Sequence, residues 1–269
     1  MGRRYGQHFL HNSQVLEDIV SAADLQPGQA VLEVGPGQGA LTQRLLSAGA
    51  QVTAVEVDPD LAQALAARWG TNPAFRLVLG DVRQVEVSAQ ALFDRPPPYR
   101  VVANLPYYLT SELLLYFLAH RDQLDGLILM VQKEVGRRMA ANTTHGKAYG
   151  SLSIAIQHGF AVEYLFTVPP GAFTPPPGVD SAVVRLKPLP PHLSPPQEAR
   201  FLDHVLKLFQ RRRKLLLSTL KALYPHTAPA LWSSLEARLG QARPENLSPA
   251  EHLEVFCLLH QLTATPTKT

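Results

Sequence analysis

Residues 30–40 decide the fold, and they read Ala30-Val31-Leu32-Glu33-Val34-Gly35-Pro36-Gly37-Gln38-Gly39-Ala40. The first five residues are apolar apart from one acid, and this predicts a buried strand. The three glycines that follow predict a turn whose backbone can approach a ligand closely, because glycine has no Cβ. The run after it, 41–46, continues as a helix. Strand, glycine turn and helix in this order are typical of a nucleotide-binding α/β unit.

The alternation of strand and helix continues along the chain. Further strands are predicted over 51–55, 75–79, 99–103 and 127–131, and two last strands over 160–168 and 182–186. Helices are expected after several of these strands, including 111–119 and a short helix with a basic face over 132–139. This alternation predicts an α/β fold with a doubly wound, mostly parallel, seven-stranded Rossmann-like sheet.

The composition changes at residue 188. Residues 188–196 are rich in proline, which predicts a stiff linker. From 197 the pattern is purely helical, with helices expected at 198–210, 212–224, 228–239 and 249–262. We therefore expect an α/β domain over 1–187 with a basic N-terminal arm, a small all-helical domain over 197–262 and a polar, disordered tail over 263–269.

Composition limits the class of protein. The 269 residues are 46% hydrophobic and 17% charged, with 25 Lys and Arg against 22 Asp and Glu, which indicates a mildly basic globular protein. The single cysteine, Cys257, lies in an apolar run and is expected in the core. No secretory signal, zinc-ligand spacing or apolar run of about 20 residues is present in the sequence. We expect a cytoplasmic protein that needs neither a metal nor a membrane.

Acidic side chains follow two of the predicted strands. Glu56 ends the second strand about 20 residues after the glycine turn, where an acid can accept both hydroxyls of a ribose. Up to this point a nicotinamide-dependent dehydrogenase remains an alternative, because Gly35, Gly37 and Ala40 nearly match the dinucleotide fingerprint. Asp81 follows the third strand and could accept a hydrogen bond from an adenine amino group. The two acids together favour a nucleoside pocket.

Asn104-Leu105-Pro106-Tyr107 follows the fourth strand, at the edge of the sheet where ligands bind. The Asn104 amide offers a carbonyl acceptor, and the Leu105 carbonyl beside the rigid Pro106 offers a second. The Tyr107 ring offers a face for stacking. The tetrapeptide therefore suits a flat ring that bears an amino group, whose amine it would activate.

Five motifs in order resemble one family. They are Gln7-His8-Phe9-Leu10, Glu33-Val34-Gly35-Pro36-Gly37-Gln38-Gly39, Gly80-Asp81, Asn104-Leu105-Pro106-Tyr107 and Phe173-Thr174-Pro175-Pro176-Pro177-Gly178-Val179-Asp180-Ser181. Together they closely resemble the small-subunit ribosomal RNA adenine dimethyltransferases, the KsgA/RsmA family, from about Tyr5 to the helical end. The run Gln210-Arg211-Arg212-Arg213-Lys214 is also similar to the C-terminal domain of that family.

The resemblance implies transfer of methyl groups from S-adenosylmethionine to the exocyclic amines of two adjacent adenosines near the 3′ end of 16S RNA. The substrate would be the small ribosomal subunit or its precursor, and the enzyme a monomer. By the same resemblance the cofactor contacts would be His8, Leu10, Gly35, Glu56, Asp81 and Asn104. His8 departs from the usual Asn at its position, and Tyr108 replaces another common Asn, so we assign Tyr108 no role here.

Two further groups of residues would bind RNA. Tyr107 and Phe173 could sandwich the extruded base. Two basic clusters could contact phosphates away from the active site, namely Lys133, Arg137 and Arg138, and Arg211, Arg212, Arg213 and Lys214. Two alternatives stay open, an Erm-type methyltransferase of large-subunit RNA and a non-catalytic assembly factor on the same fold.

Overall fold

The computed structural model describes residues 7–262, so the basic arm before residue 7 and the expected tail after residue 262 lie outside the described residues. The described chain divides into two compact units. The first comprises residues 7–136 and 160–188, and the second comprises 137–159 and 189–262. Residues 137–159, which we expected in the α/β domain, thus belong to the helical unit.

The first unit is built on a seven-stranded sheet, and this confirms the predicted fold class. The strands of the chain are β1 (Phe9–Leu10), β2 (Ala30–Val34), β3 (Gln51–Glu56), β4 (Phe75–Leu79), β5 (Tyr99–Asn104), β6 (Leu124–Gln132), β7 (Phe160–Val168), β8 (Phe173–Thr174) and β9 (Ser181–Pro188). The sheet order is β4-β3-β2-β5-β6-β9-β7. The first five strands in this order pair in parallel, and β9 pairs antiparallel with both β6 and β7.

Six α-helices lie within residues 7–140. They are α1 (Ser13–Ala23), α2 (Ala40–Ser47), α3 (Pro59–Trp69), α4 (Ala89–Phe93), α5 (Thr110–Ala119) and α6 (Lys133–Ala140). The sequence provides side-chain caps for α1, α3 and α4. The Asn12 side chain accepts from the backbone N–H of Val15 at the start of α1. Asp58 caps α3 in the same way, just before Pro59 at its first position. The Asp58 cap thus fixes where the chain turns from the end of β3 into α3.

A second, two-stranded sheet was not expected from the sequence. Strand β1 pairs antiparallel with β8, so that Phe9 lies opposite Thr174 and Leu10 lies opposite Phe173. The sequence predicted an irregular segment over 1–11, because two residues are too few to show a strand period. The pairing brings residues 7–10 to the sheet edge where the candidate site lies.

The second unit is helical. Its helices are α7 (Ser151–Gly159), α8 (Pro195–Gln210), α9 (Leu216–Leu223), α10 (Pro229–Leu239) and α11 (Pro249–His260). The sequence analysis did not predict helix α7, which buries Ile154 and Ile156. Helix α9 begins four residues later than the predicted start at 212, because 211–214 form a turn in which the Lys214 N–H donates to the Arg211 carbonyl at 2.8 Å. Two of the linker prolines start α8.

The core of the second unit combines apolar and histidine side chains. Phe201, His204 and Phe256 are buried together. His204 Nδ1 lies 2.7 Å from the Tyr224 hydroxyl, and His252 Nε2 lies 2.8 Å from the Pro244 carbonyl. Cys257 is also buried in this core, as expected. Among residues 7–262, no helix combines the length and the apolar character needed to cross a membrane.

The buried histidines predict acid sensitivity of the helical unit. Burial lowers the pKa of His204 to about 3 and that of His252 to about 4. An unfolded histidine has a pKa of about 6.5, so below that pH the unfolded chain binds protons that the folded unit does not. Each histidine should therefore lower the free energy of unfolding by about 1.4 kcal/mol per pH unit, from pH 6.5 down to its folded pKa.

The measurement is guanidinium unfolding between pH 7 and pH 4, followed by tryptophan fluorescence. In a Trp69→Phe background the remaining tryptophan, Trp232, lies on α10 and reports on the helical unit. The variants His204→Gln and His252→Gln should each reduce the pH slope, and exposed His226→Gln should not. An unchanged slope in the double variant would contradict the prediction.

Candidate active site

A cleft lies in the first unit at the carboxyl ends of β2, β3 and β5. The space inside the cleft, counted together with its open mouth, is about 930 Å³. Its walls come from the N-terminal segment, the glycine turn, the end of β3 and the turn after β5. The lining residues are Gln7, His8, Phe9, Leu10, Glu33, Gly35, Pro36, Gly37, Gln38, Ala40, Leu41, Glu56, Val57, Asn104, Leu105, Pro106, Tyr107 and Tyr108.

The glycine turn forms one wall because its backbone is left-handed. Gly35 and Gly37 have φ angles of 64° and 57°, a region that side chains rarely adopt. The Gly35 N–H donates to the Val55 carbonyl at 2.9 Å, which holds the turn against β3. A Cβ on Gly37 would lie 3.0 Å from the Phe9 ring. The absence of a side chain at Gly37 therefore leaves room for Phe9 of the N-terminal segment and keeps the turn open toward the cleft.

Glu56 is held by the backbone of the same turn. It is 3% exposed, and its Oε2 accepts from the Gly37 N–H at 3.1 Å while its Oε1 accepts from the Asp58 N–H at 3.0 Å. A carboxylate oxygen has two lone pairs, so each oxygen keeps one for a ligand hydroxyl. This arrangement is suited to binding two neighbouring hydroxyls, as in a ribose.

Glu33 also lines the cleft, and the sequence analysis assigned it no role. It is the last residue but one of the buried strand β2, and the Thr42 hydroxyl donates to its Oε2 at 2.6 Å. Burial, with the neighbouring Glu56 adding to it, raises the pKa of Glu33 to about 8. The signal that could have identified it is a single acid in an otherwise apolar strand, since such a group is costly to bury without a function.

The tetrapeptide that begins at the last residue of β5 is held by hydrogen bonds. The Asn104 Nδ2 lies 3.4 Å from the His8 carbonyl, which can only accept, so the amide oxygen Oδ1 points the other way. The Leu105 N–H donates to the Met130 carbonyl of the neighbouring strand at 3.0 Å. The Thr110 hydroxyl donates to the Pro106 carbonyl at 3.1 Å. Asn104 thus presents its acceptor from a fixed backbone.

Tyr107 is fixed at the start of a 3₁₀ helix over Tyr107–Leu109. Its hydroxyl lies 2.5 Å from the Ser181 hydroxyl at the start of β9. Burial raises the pKa of the Tyr107 phenol, so it stays neutral at physiological pH. The His8 ring lies 6.0 Å from the Tyr107 ring, centroid to centroid. Asn104, Tyr107 and the N-terminal segment therefore share one wall.

The N-terminal segment closes this wall. His8 Nδ1 lies 2.8 Å from the Pro175 carbonyl, and since a carbonyl only accepts, Nδ1 carries the hydrogen. The Leu10 side chain is buried below the cleft. Both residues predicted from the resemblance, His8 and Leu10, thus lie at the cleft together with Gly35, Glu56 and Asn104.

Two predicted residues do not line this cleft, and their roles stay predictions. The Asp81 carboxylate accepts from Arg83, from Nε at 3.0 Å and from Nη2 at 2.5 Å, and these bonds hold its pKa below the usual range. Asp81 is not among the residues that line the cleft. Phe173 is 2% exposed and packs in the core of the first unit, opposite Leu10 in the β1–β8 pair. Phe173 therefore has a core contact in this structure, and its stacking on a base stays a prediction.

Of the basic residues predicted to contact RNA phosphates, some are exposed and others are paired within the protein. Lys133, in the first unit, forms a salt bridge to Asp180 with Nζ and Oδ2 2.7 Å apart. In the second unit, Arg212 pairs with Glu245 and donates to the Gly146 carbonyl at 2.7 Å. Arg212 is thus a structural residue of its own unit. The exposed basic side chains are Arg137, Arg211, Arg213 and Lys214, while Arg138 is half-buried.

The donor set of the cleft suits an organic ligand. Among residues 7–262, no cluster of three or more His, Cys, Asp or Glu side chains is arranged to hold a metal ion. The cleft instead combines a carboxylate held open for hydroxyls, a glycine turn and an amide acceptor beside an aromatic ring. These groups fit a nucleoside on one side and a flat, amino-bearing base on the other.

Comparison with known proteins finds similarity to ribosomal RNA methyltransferases. Residues 1–261 match the family model described as ribosomal RNA adenine dimethylase. A protein of Pseudomonas savastanoi pv. phaseolicola named ribosomal RNA small subunit methyltransferase A is 40% identical over 267 residues, covering 98% of this chain and 96% of that protein. A protein of the same name from Synechocystis is 41% identical over 277 residues, covering 96% and 95%.

Solved structures share the fold. A dimethyladenosine transferase from Plasmodium falciparum superposes with a TM-score of 0.79 at 24% identity, covering 94% of this chain and 98% of that one. The 23S rRNA methyltransferase ErmE superposes with a TM-score of 0.70 at 27% identity, covering 94% and 100%. Both likenesses extend over nearly the whole chain, beyond the sheet alone.

Proposed function

The chain belongs to the ribosomal RNA adenine dimethylase family, and we propose that it dimethylates the exocyclic amines of two adjacent adenosines in the 3′-terminal hairpin loop of 16S RNA, with S-adenosylmethionine as methyl donor. The substrate is the small ribosomal subunit or its precursor, and the enzyme acts in the cytoplasm as a monomer. The observation that carries the proposal is that one cleft joins the Glu56 carboxylate, the glycine turn and the Asn104 amide.

The residues of the cleft fit the cofactor. Glu56 would bind the ribose hydroxyls, and the turn at Gly35 would lie against the rest of the molecule, closed by His8 and Leu10. Bound there, the cofactor would supply a methyl group that is already electrophilic because it is attached to a positively charged sulfur. The chain therefore needs no metal and no covalent nucleophile for this reaction.

The target amine is a poor nucleophile, and we assign its activation to the tetrapeptide 104–107. The lone pair of an adenine amine is delocalised into the ring. Asn104 Oδ1 and the Leu105 carbonyl would each accept a hydrogen bond from one N–H of the amine. These bonds would hold the nitrogen in a pyramidal form whose lone pair is available. Tyr107 would stack on the base. Orientation of this kind can account for about 7–11 kcal/mol of a barrier.

The direct test is transfer of labelled methyl groups from S-adenosylmethionine to unmethylated small subunits, with mapping of the modified bases. Dimethylation of two adjacent adenosines in the 3′-terminal hairpin is the expected result. Label on large-subunit RNA would instead support the activity named for ErmE. No label on any RNA, with the cofactor still bound, would support the assembly-factor alternative.

The exposed basic turn of the helical unit is proposed to bind RNA phosphates. The triple variant Arg211→Ala, Arg213→Ala and Lys214→Ala should weaken binding to small subunits and flatten its salt dependence, by about 0.7–0.9 in log–log slope for each lost contact. Arg212 is left intact because its bonds to Glu245 and the Gly146 carbonyl stabilise the unit. The measurement is the dissociation constant at several salt concentrations.

The matched control removes exposed charges on neighbouring helices of the same unit. Lys207→Ala and Lys221→Ala take positive charge from α8 and α9 without touching the turn. Equal slopes for the triple variant, the control and the unmodified protein would contradict a role of the turn in phosphate binding.

A further inference from the structure

The loop before helix α7 carries an exposed cation that the proposed function does not use. Lys147 lies in the 3₁₀ segment Thr143–Ala148 of the second unit, and its side chain is exposed. Within residues 7–262 the Lys147 ammonium group has neither a hydrogen bond nor a salt bridge. Lys207 of the same unit differs, because its Nζ lies 2.6 Å from Asp203 Oδ2. The unpaired charge of Lys147 is therefore available to an anionic group, for which lysine is a common ligand.

Arg212 joins this loop to the basic turn over 211–214. Its Nη2 donates to the Gly146 carbonyl at 2.7 Å, and its Nη1 donates to the Lys147 carbonyl at 3.1 Å. Its Nε donates to the Glu245 carboxylate. One arginine side chain thus spans the distance between the loop and the turn, although they lie 65 residues apart in the chain. Lys147 and the exposed cations of the basic turn are neighbours in this unit.

Both segments are fixed by further contacts within the unit. At the end of the loop the buried Tyr149 hydroxyl donates to the Leu247 carbonyl at 2.7 Å. The Tyr149 ring lies 6.5 Å, centroid to centroid, from that of Phe209, which comes two residues before the basic turn. At the start of the loop Asn142 Oδ1 accepts from the Thr144 N–H at 3.0 Å. A fixed backbone lowers the ordering cost of binding, which favours a role in binding.

We propose that the segment Thr143–Ala148 and the basic turn form one surface for RNA phosphates, in which Lys147 contacts a phosphate and Arg212 positions the two segments. The inference rests on the proposed function, in which the substrate is ribosomal RNA. Because the Glu245 carboxylate is neutralised by Arg212, the surface keeps its positive charge. Phosphates recur along an RNA strand, so two neighbouring cationic segments can contact phosphates of the same strand.

The test compares Lys147→Ala with Lys207→Ala, which removes a lysine already paired with Asp203. The readouts are the dissociation constants for unmethylated small subunits and for protein-free 16S RNA, each at several salt concentrations. Lys147→Ala should flatten the log–log salt slope by about 0.7–0.9 for both, as for one lost phosphate contact. It should flatten the slope of the triple variant of the basic turn further by the same amount, while Lys207→Ala keeps the slope of the unmodified protein.

The positioning role of Arg212 has its own readout. Arg212→Lys keeps the charge, but a compact ammonium group does not reproduce the planar fork that bonds Glu245 and the two carbonyls. In this background, with the fold verified by Trp232 fluorescence, Lys147→Ala should change the salt slope less than it does in the unmodified protein. An equal change in both backgrounds would show that Arg212 does not position the loop.

The outcomes separate this inference from the proposed function. An unchanged slope in Lys147→Ala, beside a flattened slope in the triple variant of the basic turn, would overturn this inference and leave the basic turn as a phosphate-binding element. Unchanged slopes in both variants would contradict phosphate binding by the turn as well. A loss of affinity for small subunits without one for protein-free RNA would show that Lys147 contacts a ribosomal protein, and would also overturn the inference.

Discussion

Replacing Asn104 with alanine is expected to lower the rate of methyl transfer about 10²–10³-fold, as for loss of one preorganised hydrogen-bonding group at a reacting centre. The alanine removes the Oδ1 acceptor that would hold the amine, while the Leu105 carbonyl and the Tyr107 ring remain. It also removes the Nδ2 bond to the His8 carbonyl. The measurement is single-turnover methyl transfer on unmethylated small subunits at saturating cofactor.

Two further variants separate the acceptor from the rest of the side chain. Asn104→Asp keeps an acceptor of the same shape but loses the donor to His8, so it should retain more activity than Asn104→Ala. Asn72→Ala removes a turn-stabilising amide outside the cleft and should leave the rate unchanged. A rate for Asn104→Ala within about 10-fold of the unmodified protein would contradict the assigned role.

Replacing Glu56 with alanine is expected to weaken the binding of S-adenosylmethionine at least about 100-fold, because two hydrogen bonds to a charged group are lost, each worth about 1.5–3 kcal/mol. The Gly37 and Asp58 N–H groups also lose their acceptor, so the glycine turn loses a bond that holds its conformation. Isothermal titration with the cofactor measures the change.

The control for Glu56 is an acid removed elsewhere in the first unit. Glu163→Ala takes away a largely exposed carboxylate that pairs with Arg185 on the antiparallel edge of the sheet. Its cofactor affinity should match that of the unmodified protein. If Glu56→Ala also bound the cofactor normally and remained folded, the ribose would have to be bound by another group of the cleft.

Part of this site could be predicted from local sequence alone. The strand periods, the glycine turn and the caps are properties of short segments, and each points to the same parallel sheet. Because the carboxyl ends of parallel strands meet at one edge, Glu56 and Asn104 could be placed together before any coordinates were known. The structure places both residues in one cleft, 48 positions apart in the chain.

The remaining features depend on partners distant in sequence, and the tertiary structure alone decided them. Phe173 is buried because β8 pairs with β1, more than 160 residues earlier. Arg212 lies in the basic run of the sequence, but it forms a salt bridge with Glu245 and donates to the Gly146 carbonyl.

By itself the sequence determined the sheet, the turn and the edge at which the chemistry lies, because these follow from side-chain period and backbone preference within single elements. Which aromatic and charged side chains remain available to a ligand was decided by the folded chain. Burial and ion pairing depend on what packs against a residue, and a linear pattern does not contain that information.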